Sequence, residues 1–120
     1  ESEDLNSKAT AERETAEEVG LDLTGKSVNF LGRLDDQATP WLTISAYVYG
    51  FGNRPTLRLN EEVDSEFWFP FEDLCMPKNR TKLNFKRGKT KGRYPAIRIS
   101  EQTIWGISLR FIDELRTKTR

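Results

Sequence analysis

The sequence predicts an α/β protein, with helices near both ends of the chain and β-strands between them. Residues 5–19 favour a helix, because alanine is frequent there and Gly20 is placed to end it. Over residues 102–115 apolar side chains recur every three or four positions, which is typical of a helix packed on a sheet. Strands that alternate with helices at both ends predict a sheet covered on both faces.

The middle of the chain predicts a series of strands. They cover residues 27–34, 41–51, 56–59, 66–71 and 94–99. Polar and apolar side chains alternate in the second strand, which predicts two different sheet faces. Pro70 is expected to end the fourth. Residues 78–93 carry eight basic and no acidic side chains, and the glycines among them predict a flexible hairpin or loop.

Length and composition predict a single domain over residues 1–120. The chain is 36% hydrophobic and 11% aromatic, which is enough for one small core. Lys plus Arg and Asp plus Glu both number 19, so electrostatic arguments must be local. No apolar stretch reaches the length of a membrane span, and we expect no membrane partner.

Several chemistries are excluded by residue type. The sequence contains no histidine, which rules out Ser-His-Asp catalysis and histidine-bound zinc for these residues. Its single cysteine, Cys75, cannot form an internal disulfide, which agrees with an intracellular, reducing compartment. Chemistry must therefore use carboxylates, Lys, Arg, Tyr or a bound metal.

Three glutamates form the most informative cluster. Glu14, Glu17 and Glu18 stand at i, i+3 and i+4 of the predicted helix, so they share one face at the cost of mutual repulsion. A bound divalent cation would replace this repulsion with attraction. Hard oxygen ligands suit Mg²⁺ or Mn²⁺ bridged to a diphosphate. Arg13 could pair with one glutamate and fix its rotamer. The alternative interpretation is a solvated acidic face.

The context of these glutamates resembles a known signature. Residues 13–21 (RETAEEVGL) are similar to the end of the Nudix hydrolase consensus, R-E-U-x-E-E-x-G-U with U aliphatic. Six of its seven specified positions match, and Thr15 is the exception. The consensus also has a glutamate where this chain has Leu5, with Glu3 and Asp4 nearby.

The resemblance implies both a fold and a site. The fold would be a Nudix-type α/β/α sandwich around a mixed sheet, with its first strands and the opening glycine of the signature upstream of residue 1. The residues matching Glu14, Glu17 and Glu18 bind Mg²⁺ or Mn²⁺ in this family, and the one matching Glu14 sometimes also activates water. The arginine matching Arg13 orients that glutamate.

Further blocks resemble the coenzyme A diphosphatase-type branch of the family. They are residues 30–36 (FLGRLDD), 59–63 (LNEEV), 67–74 (FWFPFEDL) and 104–115 (IWGISLRFIDEL). In several Nudix enzymes a carboxylate in the loop matching the second block completes the metal site or acts as general base. The resemblance thus implies that role for Glu62, for which a plain surface glutamate is the alternative.

The leading functional prediction is a metal-dependent hydrolase that cuts the diphosphate linkage of a nucleoside diphosphate derivative, with a coenzyme A-like substrate favoured. The basic segment 78–93 motivates an RNA cap or diphosphoinositol phosphate diphosphatase, although a solvated loop explains the same charges. A Nudix-fold module that binds without cutting is the third alternative. Trp41, Trp68 and Trp105 could stack on a base, with core packing favoured for the last two. The family also implies a homodimer.

Overall fold

The computed structural model describes the backbone of residues 2–119 and the side chains of residues 6–86, 88–89 and 91–119. The chain divides into two compact units, Glu1–Phe67 and Trp68–Arg120. The single domain predicted over residues 1–120 stays a prediction.

The first unit opens with helix α1, Ser2–Val19. Its end was predicted correctly, because Gly20 takes the left-handed conformation with φ of 74°. The Gly20 amide still donates to the Ala16 carbonyl at 3.1 Å, which closes the last turn.

Strands β1 (Val28–Arg33) and β4 (Tyr47–Phe51) form an antiparallel ribbon in the first unit. The register shifts between Phe30 and Gly32, so Leu31 is the extra residue of a β-bulge. The strand predicted at 27–34 is confirmed, and the observed strand is one residue shorter at each end.

The long strand predicted over residues 41–51 is wrong. Two short strands, β2 (Gln37–Ala38) and β3 (Thr43–Ile44), pair as a hairpin before β4 begins. The reason lies at Thr39, whose hydroxyl accepts hydrogen bonds from the amides of Trp41 and Leu42 at 3.3 and 3.1 Å. These bonds stabilise a turn where alternation alone predicts an extended chain.

Two other short strands were also predicted wrongly. Residues 56–59 form no strand, because amides there and just beyond bond to helix α1 instead of a sheet partner. Residues 66–71 are not a strand either. Pro70 precedes a short helix, α2 (Phe71–Cys75), and its fixed φ of −57° is compatible with a helix start. A 3-10 turn follows at Pro77–Asn79.

The second unit is built on a three-stranded antiparallel sheet in the order β5 (Arg80–Arg87), β6 (Thr90–Ile99), β7 (Gln102–Trp105). The basic segment is thus an ordered hairpin with its turn at Gly88, φ 60°. Ala96 and Ile97 are fully buried at the centre of the sheet.

The final helix, α3, covers Gly106–Lys118 and packs on β6 and β7 with Leu109 buried. The predicted helix start at residue 102 is wrong. Gly106 has φ of 68° and separates the strand from the helix, while Thr103 and Ile104 are β-branched residues that suit the strand. Ile104 therefore belongs to β7 rather than to the helical stripe.

The predicted α/β class is confirmed, since helices and sheets are both present. In the described residues every strand pairing is antiparallel. None of the helices described between residues 2 and 119 combines the length and apolarity that a bilayer crossing requires.

Candidate active site

Helix α1 has a packing face and a solvent face, and the three predicted ligands divide between them. Glu14 and Glu17 are exposed, whereas Glu18 is half-buried. The helical spacing places Glu14 next to Glu18 and Glu17 within one turn of Glu14. The carboxylates therefore follow the edge where the helix leaves the protein surface, open to a ligand from solvent.

Arg13 pairs with Glu17 and not with Glu14. Its Nη1 donates to Glu17 Oε1 at 2.9 Å, and the two side chains are 65% and 54% exposed. Such an exposed pair contributes little to stability, so the interaction acts mainly on the orientation of Glu17. The orientation of Glu14 by Arg13, implied by the family resemblance, is not the arrangement seen in this structure.

Thr15 departs from the signature because it replaces an aliphatic residue, and its surroundings explain why the helix tolerates it. The residue is half-buried on the packing face of α1. Its hydroxyl donates to the Ala11 carbonyl at 2.8 Å, so no polar group is left unsatisfied.

A cluster that the sequence reasoning missed anchors α1 to the β1–β4 ribbon. Glu12 Oε2 accepts hydrogen bonds from Lys8 Nζ and Tyr49 Oη, both at 2.6 Å. Lys8 Nζ also lies 4.5 Å from the centroid of the Phe30 ring, a cation–π contact. The i, i+4 spacing of Lys8 and Glu12 was a visible signal, but nothing local in the sequence pointed to Tyr49.

Each member of this cluster has a shifted pKa. The hydrogen bond from Lys8, followed by that from Tyr49, lowers the pKa of the Glu12 carboxyl. The hydrogen bond to Glu12 raises the pKa of Lys8. Burial, followed by the hydrogen bond to Glu12, raises the pKa of Tyr49. The folded protein thus favours a charged Lys8–Glu12 pair beside a neutral tyrosine.

We expect Glu12→Gln to flatten the acid dependence of stability. A carboxyl whose pKa is lowered on folding contributes stability above its unfolded pKa, and this is lost as pH falls through the lower folded pKa. Melting temperatures measured from neutral pH to below the ordinary carboxyl value of 4.5 should therefore fall less in the variant than in the wild type. Glu61→Gln, at an exposed residue, is the matched control. Equal acid slopes for wild type and Glu12→Gln would contradict the anchoring role.

The C-terminal end of α1 is held by the segment that follows the ribbon. The amide of Arg58 donates to the Val19 carbonyl and the amide of Asn60 to the Glu18 carbonyl, both at 2.8 Å. A helix end leaves its last carbonyls without intrahelical partners, and these two bonds satisfy two of them. A Cβ built on Gly20 would lie 3.0 Å from the Arg58 Cβ, so the close approach depends on glycine.

This connection brings the loop that carries Glu62 to the glutamate helix. Asn60 bonds to the backbone of Glu18, and its side-chain oxygen accepts from the Glu62 amide at 2.9 Å. The Asn60 carbonyl accepts from the Val63 amide at 3.2 Å, which completes a turn. Glu61 and Glu62 are exposed on this turn. Asn60 was not singled out from the sequence, although asparagine before two glutamates is a turn signal.

The donor chemistry of these residues fits Mg²⁺ or Mn²⁺. The side chains of Glu14, Glu17, Glu18 and Glu62 offer only hard carboxylate oxygens. Among the described residues no three acidic side chains already converge as a group that could hold an ion. Mg²⁺ needs only one or two protein carboxylates when waters and substrate phosphates complete its shell, so this spacing is compatible with binding.

A cavity of about 340 Å³ opens next to the loop that leaves α1. Leu21 and Asp22 line one side, and residues 51–55 at the end of the ribbon line another. Thr24 donates to Asp22 Oδ1 through its amide at 2.9 Å and thereby orders the loop.

The remaining predicted groups lie elsewhere. Trp41 is 90% exposed at the tip of the β2–β3 hairpin, and Trp105 packs against other rings in the second unit. The predicted core packing of Trp68 is wrong, because this side chain is 44% exposed and residues 66–71 form no strand. The substitutes for the upstream glutamate, Glu3 and Asp4 beside Leu5, have side chains outside the described residues.

The glutamate helix, which ends just before Gly20, and the acidic loop bonded to its end contain the signature-like residues 13–21 and Glu62. Residues 1–90 match the NUDIX domain. The chain therefore belongs to the Nudix family.

The comparison with known relatives does not identify a substrate. An uncharacterized protein of Schizosaccharomyces pombe is 38% identical over 95 residues, which cover 72% of this chain. The chain spans 29% of the length of that protein. No solved structure matches.

Proposed function

We propose that this Nudix domain hydrolyses the diphosphate linkage of a nucleoside diphosphate derivative, with a coenzyme A-like dinucleotide as the favoured substrate. The observation that carries the proposal is the connection between the glutamate helix and the acidic loop. Backbone bonds from Asn60 and Arg58 to the last carbonyls of α1 join the start of the loop that carries Glu62 to the end of the glutamate helix.

In this proposal Glu14, Glu17 and Glu18 hold Mg²⁺ or Mn²⁺. The metal, when bound, neutralises charge on the phosphate oxygens and lowers the pKa of a water molecule. Arg13 keeps the Glu17 carboxylate in one orientation through their 2.9 Å hydrogen bond. Glu62 is exposed on an ordered turn, where it can accept a proton from the attacking water.

The substrate preference rests on the blocks that resemble the coenzyme A diphosphatase branch. The cavity of about 340 Å³ beside Leu21 and Asp22 offers room for part of a nucleotide next to the signature. Its polar residues, Ser27 and Asn53 among them, could orient such a group by hydrogen bonding.

The test is incubation of the full-length protein with Mg²⁺ or Mn²⁺ and a panel of diphosphate compounds. Coenzyme A, dinucleotides, capped RNA and diphosphoinositol phosphates should be compared at equal concentration. Metal-dependent cleavage, fastest for coenzyme A-like compounds, is the expected result. Binding without any product would instead support the non-catalytic module.

A second candidate is an RNA cap or diphosphoinositol phosphate diphosphatase, which the basic hairpin favours. Its cations form an ordered strand pair rather than a solvated loop. Charge reversal at Lys86 and Lys89 separates the candidates, because loss confined to RNA or inositol substrates would support the second.

A further inference from the structure

Three exposed cations of the β5–β6 hairpin, Lys86, Lys91 and Arg93, lie on one face. The register of the hairpin places Asn84 opposite Arg93 and Lys86 opposite Lys91. Directly opposed residues of an antiparallel pair share a face, and so do residues two apart along one strand. These four side chains therefore project from the same side of the sheet.

The opposite face of the hairpin is a packed aromatic layer. The ring of Phe85 lies with its centroid 5.0 Å from that of Trp105 and 6.2 Å from that of Tyr94, and the Tyr94 and Trp105 centroids are 5.8 Å apart. Because Trp105 belongs to β7, these contacts tie the hairpin to the third strand. The cationic face is thus supported from behind and pre-organised.

The charges on this face have no counterpart in the sheet. Strands β5, β6 and β7 contain no aspartate or glutamate. At the α3 end of β5, Arg80 forms an ion pair with Asp113. At the hairpin end Lys86, Lys91 and Arg93 are exposed, and within the described part of the chain no carboxylate pairs with them.

These cations lie so close together that their mutual repulsion destabilises the folded protein unless an anion binds. Opposed residues are about 5 Å apart at Cβ and residues two apart about 7 Å, so the three charges occupy one small area. Like charges directly opposite each other, as at Lys86 and Lys91, destabilise a strand pair.

A cavity of about 410 Å³ lies among these residues. Asn84, Lys86, Lys91 and Arg93 line it together with Phe85 and Gly92. The residues at the hairpin end therefore line an open concave space that a compact ligand can enter.

We propose that this concave cationic face binds a compact, multiply phosphorylated ligand. Lys86 and Lys91 supply point charges, Arg93 can bind a phosphate through two parallel hydrogen bonds, and the Asn84 amide donates a further one. The aromatic rings pack on the other face, where they cannot stack on bases whose phosphates contact the lysines, so single-stranded RNA fits less well. The site uses only the second unit and its test does not depend on hydrolysis at the glutamate helix, although the second candidate function would use the same cations.

The test is calorimetric titration of the full-length protein with inorganic tripolyphosphate, in EDTA so that no metal bridges the ligand to the glutamates. Wild type should bind at one site per chain, and added salt should weaken binding. Lys86→Glu combined with Lys91→Glu should reduce affinity on the order of tenfold or more. Lys26→Glu, at an exposed lysine of the first unit, is the matched control and should leave affinity unchanged.

A neutral double variant distinguishes loss of the binding charges from misfolding. Lys86→Gln with Lys91→Gln should weaken tripolyphosphate binding while keeping at least the wild-type melting temperature, because the opposed charges are removed. The proposal is overturned if wild type shows no saturable binding at low salt, or if Lys26→Glu loses as much affinity as the double variants. It is also overturned if a short oligouridylate binds more tightly than tripolyphosphate, which would assign the face to RNA.

Discussion

Replacement of Glu18 by Gln is expected to remove diphosphate hydrolysis while the fold stays intact. The side chain keeps its size, and the backbone carbonyl that accepts from the Asn60 amide is unchanged. The proposed function makes Glu18 an anionic oxygen donor to the metal. Its loss should remove several kcal/mol of transition-state stabilisation, a rate loss on the order of a thousandfold. Glu17→Gln should behave in the same way. Product formation at saturating Mg²⁺, with melting temperature recorded in parallel, measures the effect.

The matched control for this charge removal is Glu101→Gln, at an exposed turn residue of the second unit. It should retain full turnover. If both helix variants also retain full metal-dependent activity, Glu17 and Glu18 are not ligands. A variant that loses activity together with a large drop in melting temperature would show that the glutamate is structural.

The second large effect is expected for Gly20→Ala, which should destabilise the first unit and impair catalysis together. Alanine at φ of 74° is strained by roughly 1–3 kcal/mol. Its Cβ would lie 3.0 Å from the Arg58 Cβ, so the segment bonded to the end of α1 must shift. Because that segment leads to Glu62, the loop moves away from the helix. We expect decreases both in the free energy of unfolding, measured with denaturant, and in the ratio kcat/KM.

Gly25→Ala provides the control, since a Cβ there comes no closer than 3.5 Å to its neighbours and the position has no positive φ. Its stability and activity should stay close to wild type. The proposed role of Gly20 would be rejected if its alanine variant were as stable and as active as the Gly25 variant.

Local patterns in the sequence were sufficient for the glutamate helix. The helix end depends only on residues within one turn, since the Gly20 amide donates to the Ala16 carbonyl. Helix propensity and glycine placement are local features, and they therefore predict such an end. The signature in residues 13–21 was visible for the same reason. The basic segment was predicted less well, because its flexible hairpin or loop and the strand expected at 94–99 are in fact two paired strands that meet at Gly88.

Long-range partners were not predictable from one sequence. Alternation over residues 41–51 is compatible with one long strand, and only the hydrogen bonds accepted by Thr39 show that the chain turns there. The bond from Tyr49 to Glu12 joins residues 37 positions apart, beyond any periodic pattern. Such contacts depend on which surfaces meet after the elements have formed.

The sequence by itself determined which side chains are available: there is no histidine, and three carboxylates are aligned on a helix that resembles the Nudix signature. Only the tertiary structure decided which backbone groups hold that helix end, because the last carbonyls of any helix need partners from elsewhere. Here Arg58 and Asn60 are those partners, and they join the segment that leads to Glu62 to the end of the helix.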